Sequence, residues 1–235
     1  MGRVTRAAAV LAGLALGVSA CGGNDDSLPA PTTDVSVPPI TAGAVVDSDV
    51  LRGQLLGPRD VPLGFTQLED ASPGNGPTPQ DRSRTDPAEC AKVLAPVGDL
   101  YGTPAGRGAV HYSSPSFAGI DIDIASYTDG GAAHAFAAAQ DLLRDCRHYS
   151  GTDADGTAIE YELGGLDQPP AGAASTSFQV RTTSAGMSLY SAATIAVVGS
   201  SVVQIAETSP AQVSPDALRD LTAKQIRRLE GVAGP

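Results

Sequence analysis

The chain has 235 residues and a formal net charge of −11, with Lys92 and Lys224 as its only lysines. An acidic surface argues against nucleic-acid phosphates as a partner and against electrostatic adsorption to anionic lipid. The abundance of Ala, Gly, Arg and Asp suits a high-GC, actinobacterial genome.

Arg3 and Arg6 precede an apolar run from Ala7 to Val18, which is too short to span a bilayer as a mature helix. Val18-Ser19-Ala20-Cys21 closes the run, and Asn24, Asp25 and Asp26 then make the chain polar. This stretch resembles the lipobox of bacterial lipoproteins. The resemblance implies that residues 1–20 are a leader removed on export and that Cys21 carries a diacylglyceryl thioether. An ordinary secretory leader that happens to contain a cysteine is the alternative. On the first reading the acyl chains anchor the protein to the extracytoplasmic face of the cell membrane, each buried CH₂ contributing roughly 0.8 kcal/mol. Residues 21–46, with Pro29, Pro31, Pro38 and Pro39, read as the acylated cysteine and a disordered tether. Residues 47–232 suit one domain by length.

A short helix is predicted from Ser48 to Leu56. Asp86-Pro87-Ala88-Glu89 is a capping box with Pro at the first helical position, followed by a stripe of Cys90, Val93, Leu94 and Val97. Gly106 to Ser113 is expected to pair with a strand in which Ile120, Ile122 and Ile124 oppose Asp121 and Asp123. Ala132, Phe136, Ala139, Leu143 and Cys146 follow helical spacing after Asp129. Strands follow at Ile159 to Leu163 and around Phe178 and Val180. Ser188 to Val198 and Ser201 to Glu207 flank Gly199-Ser200, a two-residue hairpin turn. Ser214-Pro215 opens a last helix with Leu218, Leu221, Ile226 and Leu229 inward. The sum is an α+β fold, an antiparallel sheet covered by helices on one face.

With Cys21 assigned to lipid, Cys90 and Cys146 remain as an even pair in an oxidising compartment, which predicts a disulfide. Two free buried thiols are the alternative; two sulfurs near His148 do not make a closed tetrahedral metal set.

Catalytic signals are weak. His111, His134 and His148 form no ligand pair of the H-E-x-x-H kind, and no Gly-x-Ser-x-Gly elbow occurs in the mature chain. Asp153-Ala154-Asp155-Gly156 hints at a calcium loop but lacks the closing Glu, so a polar turn is expected. Neither a catalytic set, a metal nor a cofactor is expected. Tyr112, Tyr127, Tyr161 and Tyr190 fall on predicted strands, where packing competes with a place in a ligand cleft. Asp121, Asp123 and Tyr127 share one strand face by the period of two, and Arg181 directly follows the apolar Val180. These four are the candidate ligand-binding residues. An arginine among acids pairs with them when the site is empty, or receives a carboxylate or phosphate bidentately. A solvated sheet face is the competing explanation.

Leu55-Leu56-x-x-x-Asp60-Val61-Pro62-x-Gly64-Phe65, the Cys90 segment, the Ala-rich helix ending in Cys146 and the Val-rich hairpin before the last helix occur in a familiar order. Together they resemble the extracellular sensor domains of PknH-type mycobacterial kinases and their lipoprotein relatives. The resemblance implies an antiparallel sheet with helices around a broad cleft for an unidentified ligand, and it matches Cys90 and Cys146 to the family's cysteine-bearing helices. This chain departs from the family in having Leu143 where a Trp is frequent, and in lacking cysteines for a second disulfide. The functional expectation is a lipid-anchored sensor-like module that binds a cell-envelope ligand without catalysis. An accessory lipoprotein docking a membrane-protein partner is the alternative; an envelope enzyme comes third.

Overall fold

Alternation along the two longest apolar strands decides how the sheet must be covered. In β8 (Met187–Val198) and β9 (Ser201–Ser209) both phases bury apolar residues, among them Ala192, Ala193, Ile195, Ala196 and Val197. A strand apolar on both faces needs a cover on each. The computed structural model, which describes residues 27–39, 44–69 and 82–231, supplies both.

The other strands are β1 (Thr66–Gln67), β2 (Arg84–Asp86), β3 (Gly106–Ser113), β4 (Gly119–Ser126), β5 (His148–Thr152), β6 (Ala158–Gly165) and β7 (Ala174–Ser184). They form one sheet in the order β1-β3-β4-β9-β8-β7-β6-β5-β2, antiparallel at every pairing. Helices α1 (Ser48–Gly53) and α3 (Pro215–Leu229) cover one face, where Leu51, Leu218 and Leu221 pack on Ile120, Ile122, Ile124 and Ile205. Helix α2 (Gly131–Asp145) covers the other, where Phe136, Ala139 and Leu143 pack on Phe178, Ile195 and Val202. The α+β, antiparallel expectation holds, but helices lie on two faces instead of one. The acids that suggested a solvated face sit on β4 and β6, whereas β8 and β9 at the centre bury apolar residues in both phases.

Among the described residues no helix is long and apolar enough to cross a membrane. The leader and Cys21 lie outside the described residues.

Two local expectations change. The capping box at Asp86 does not form, because Asp86 is taken into the edge strand β2, opposite Ser150. Ala88–Lys92 is instead a five-residue 3-10 helix without a side-chain cap. Cys90, Val93 and Val97 are still buried, and Cys90 is bonded to Cys146, just beyond α2. The second change concerns residues 27–39, expected within the tether but laid along the domain. Leu28 N–H donates to Glu162 Oε1 (2.7 Å), Gly165 N–H to the Pro29 carbonyl (2.6 Å), and Thr176 Oγ1 to the Thr32 carbonyl (2.6 Å). Gln140 clamps Val35, accepting from its N–H (2.8 Å) and donating to its carbonyl (3.0 Å). An extended proline-rich chain leaves its backbone groups unpaired, and the sheet end supplies partners. Close approach depends on glycine: a Cβ at Gly164 would lie 2.2 Å from Leu28 Cβ, and one at Gly165 2.5 Å from the Ala30 carbonyl oxygen.

The hairpin turns differ in how well their residues suit them. Gly199-Ser200 joins β8 to β9 as expected, with Gly199 at φ 56°. Ala185-Gly186 joins β7 to β8 with φ of 49° and 80°, so both central positions are left-handed, as in a type I′ turn. Alanine is a poor occupant of that conformation, while asparagine tolerates it. Ala185→Asn is therefore expected to raise stability by about 0.5–1 kcal/mol. Urea unfolding should show a higher midpoint with an unchanged slope; a lower midpoint would refute the turn assignment.

Candidate ligand pocket

The β3–β4 hairpin sets Ala109 opposite Asp123 and His111 opposite Asp121, and β9 sets Gln204 on the other side of Asp123. Paired residues in an antiparallel sheet project to the same side. Asp121, Asp123, Arg107, His111 and Gln204 therefore share the α2 face. There the second wall comes from Pro96 and a single 3-10 turn, Val97–Asp99. Between the walls is a cavity of about 320 Å³, lined by Arg52, Pro96, Asp99, Arg107, His111 and Asp123 among others.

Most polar groups around it are spoken for. Arg107 reaches Asp99 Oδ1 through Nη1 (2.5 Å) and donates from Nη2 to the Gly98 carbonyl (2.8 Å). His111 Nδ1 lies 2.7 Å from Asp121 Oδ1, and Arg52 pairs with Asp49. Gln204 donates from Nε2 to the Ala95 carbonyl (3.3 Å). Three groups differ. Asp123 is only 7% exposed. Burial pushes its carboxyl up to about 6; His111 lowers it, Asp121 and Asp99 raise it, and no hydrogen bond contributes. Gln204 Oε1 and Tyr127 Oη are buried without a hydrogen-bond partner. Unsatisfied buried groups are rare enough to require a cause.

Three of the four candidates fall in or beside this region. Asp123 lines the cavity, and Asp121 holds the lining His111. Tyr127 is buried against Tyr101, which stacks on His134, and burial raises its hydroxyl pKa. Arg107 and Asp99 both act on that hydroxyl through space. Arg181 does not join them. The pairs Gln179–Ala192, Ala192–Glu207 and Glu207–Ile120 place its phase of β7 on the Ile120 face, roughly 14 Å across three strand spacings from β4. It does leave the face of Val180, but Val180 and Ile120 lie on opposite faces. Arg181 pairs with Glu162 and lines a separate cavity of about 460 Å³ with Leu28, Leu166, Tyr190 and Val213.

Sequence reading missed Asp99, Arg107, His111 and Gln204 as parts of one site. The strand pairing was expected, but its register depends on the turn around Pro115 and Phe117, which sequence did not resolve. Asp153 forms the expected polar turn, accepting from Asp155 N–H (2.9 Å) and Thr157 N–H (2.8 Å) through Oδ1. Among the described residues no group of three His, Cys, Asp or Glu side chains could hold a metal ion.

The described residues form an α+β fold: a single antiparallel sheet carrying helices on both faces and a small polar pocket. Among solved structures, the chain is similar to the extracellular domain of PknH from Mycobacterium tuberculosis. The TM-score is 0.58 at 14% identity, over 80% of this chain and 98% of that one. This likeness shows a common fold and agrees with the resemblance in element order. A putative uncharacterized protein from Mycobacterium smegmatis matches with a TM-score of 0.37 at 15% identity, over 78% of this chain and 100% of that one. No family model matches the chain, and no curated protein does.

Proposed function

We propose that this chain is a lipid-anchored, extracytoplasmic, sensor-like binding module that presents the Asp123 pocket to a cell-envelope ligand and performs no chemistry of its own. The observation that carries this reading is Asp123, a buried carboxyl that lines a cavity beside the unpartnered Gln204 Oε1. A buried acid that accepts no hydrogen bond destabilises the empty fold, a cost that a ligand offsets. The lipobox-like stretch at Cys21 and the fold shared with an extracellular domain support the location. An accessory role, docking a membrane-protein partner, is the second reading; Phe117, 85% exposed at the β3–β4 turn, favours it.

One experiment tests both parts. The full chain, Cys21→Ala and Ala109→Phe are expressed in a mycobacterial host, fractionated with a salt wash and examined by native mass spectrometry. The full chain should sediment with membranes and Cys21→Ala should not. The folded domain should carry a small-molecule adduct that Ala109→Phe, which fills the cavity from an exposed strand position, removes. A Cys21→Ala protein that stays with membranes would overturn the anchor. An adduct indifferent to Ala109→Phe, or none at all, would overturn the pocket.

A further inference from the structure

We infer that the Asp123 pocket takes a small protonated amine, whose ammonium group is received by Asp123 and by the side-chain carbonyl of Gln204. The inference rests on the binding reading above and names its ligand class.

Donors and acceptors at the pocket are unequally matched. The donor side chains at the pocket already have acceptors within the chain: Arg107 through both terminal nitrogens, to Asp99 and Gly98; Gln204 through Nε2, to Ala95; His111 through Nδ1, to Asp121; and Arg52, to Asp49. What remains unspent is acceptor capacity, on the Asp123 carboxylate and Gln204 Oε1, which are direct cross-strand neighbours. Gln204 is 1% exposed, so no bulk water serves it.

Three ligand chemistries can be compared on that inventory. An ionised carboxylate or phosphate would bring negative charge against Asp123 and no donor for Gln204 Oε1. A neutral polyol could satisfy Gln204 but would bring no counter-charge to the buried Asp123 carboxylate. An ammonium brings three N–H donors and one positive charge, which match both deficits without disturbing an existing bond. The cavity, at about 320 Å³, is near the lower end of small-ligand pockets, which suits a head group.

The charged groups that face Asp123 are His111 and Arg107 from β3, Asp121 from β4, Asp99 from the 3-10 turn and Arg52 from α1; β9 contributes the uncharged Gln204. The two arginines are each matched by their own aspartate. Asp123 must be ionised to bind an ammonium, and its proton is held up to about pH 6. Amine binding should therefore weaken in acid, roughly tenfold between pH 7.5 and pH 5.

The test is an NMR titration of the ¹⁵N-labelled domain with ethanolammonium and 1,4-diaminobutane, and with ethylene glycol and acetate as the neutral and anionic counterparts. Both amines should shift the amides of Ala109, Asp123 and Gln204 saturably, about tenfold more weakly at pH 5. Asp123→Asn, which removes a buried charge and keeps the volume, should fold and lose the amine response. Gln204→Met should weaken it about tenfold. Glycol or acetate binding the same residues as tightly as the amines would overturn the amine class while leaving a ligand pocket in place. If none of the four probes moves those amides, the amine assignment falls; the native-adduct experiment then judges the pocket independently.

Discussion

Reduction of the Cys90–Cys146 bridge is expected to lower the free energy of unfolding by about 4 kcal/mol, within a range of roughly 2–5. The bond closes a loop whose ends are 56 positions apart. Opening a loop of that length returns substantial chain entropy to the unfolded state. The folded state has little else to hold this segment, since residues 88–99 contain only two short 3-10 turns between the edge strand β2 and the sheet. Val93 and Val97 nonetheless help cover the α2 face, and Ala95, next to the lining Pro96, accepts a hydrogen bond from Gln204, the cross-strand neighbour of Asp123. Loss of the bridge should therefore be felt at the pocket as well as globally. Urea unfolding of the Cys90→Ser, Cys146→Ser double variant measures the first effect, and hydrogen exchange at Gln204 the second. A loss below about 1 kcal/mol would mean that the reduced chain keeps this segment ordered by packing alone.

Glu207 provides the second large effect. It is 8% exposed on the α3 face, between Ile120 and Ala192, and burial alone pushes its carboxyl up to about 7. A folded-state pKa above the unfolded value means that the folded protein holds a proton which the unfolded chain releases. Stability from this group is therefore greatest in acid and is lost as pH rises from about 4.5 to about 7. Glu207→Gln removes the titration. It should gain about 3 kcal/mol at pH 8 and converge on the parent near pH 4. Melting temperatures across that range decide it: two parallel curves would show that Glu207 is not the titrating group. Asp123, raised to about 6 by the same cause, adds a slope of the same sign, so the parent should be more stable at pH 5 than at pH 8 from both.

How far the sequence could be read follows from which forces are local. The α2 and α3 stripes were legible because Phe136, Ala139 and Leu143, and Leu218 and Leu221, repeat at helical spacing and meet a sheet at once. The β8–β9 hairpin was legible because Gly199-Ser200 can only be a tight turn. The Cys90 segment carried the signature of a helix start, yet pairing of Asp86 with Ser150, a partner far away in sequence, outweighed it. Residues 27–39 show the same limit. Their composition cannot form a core, but it says nothing about docking on a groove that Gly164 and Gly165 leave open. At the site, strand alternation grouped Asp121, Asp123 and Tyr127 on one side, whereas the face of Arg181 depended on a register running through β8 and β9. His111 and Gln204 became parts of the same pocket only through that register.

The docked N-terminal segment would also limit the range of action of a chain anchored at Cys21. With Leu28 to Val35 stitched to β6, β7 and α2, the leash from Cys21 to the folded body spans no more than about 25 Å at full stretch. Acylated at Cys21, the domain would patrol a shallow layer above its membrane, meeting neighbours in that plane often and never sampling the depth of the envelope. Peeling the segment off as far as Val35 would lengthen the leash by roughly another 25 Å. In a protein acylated at Cys21, the stitches at Gln140 and Thr176 would set how far from the lipid surface the pocket is carried.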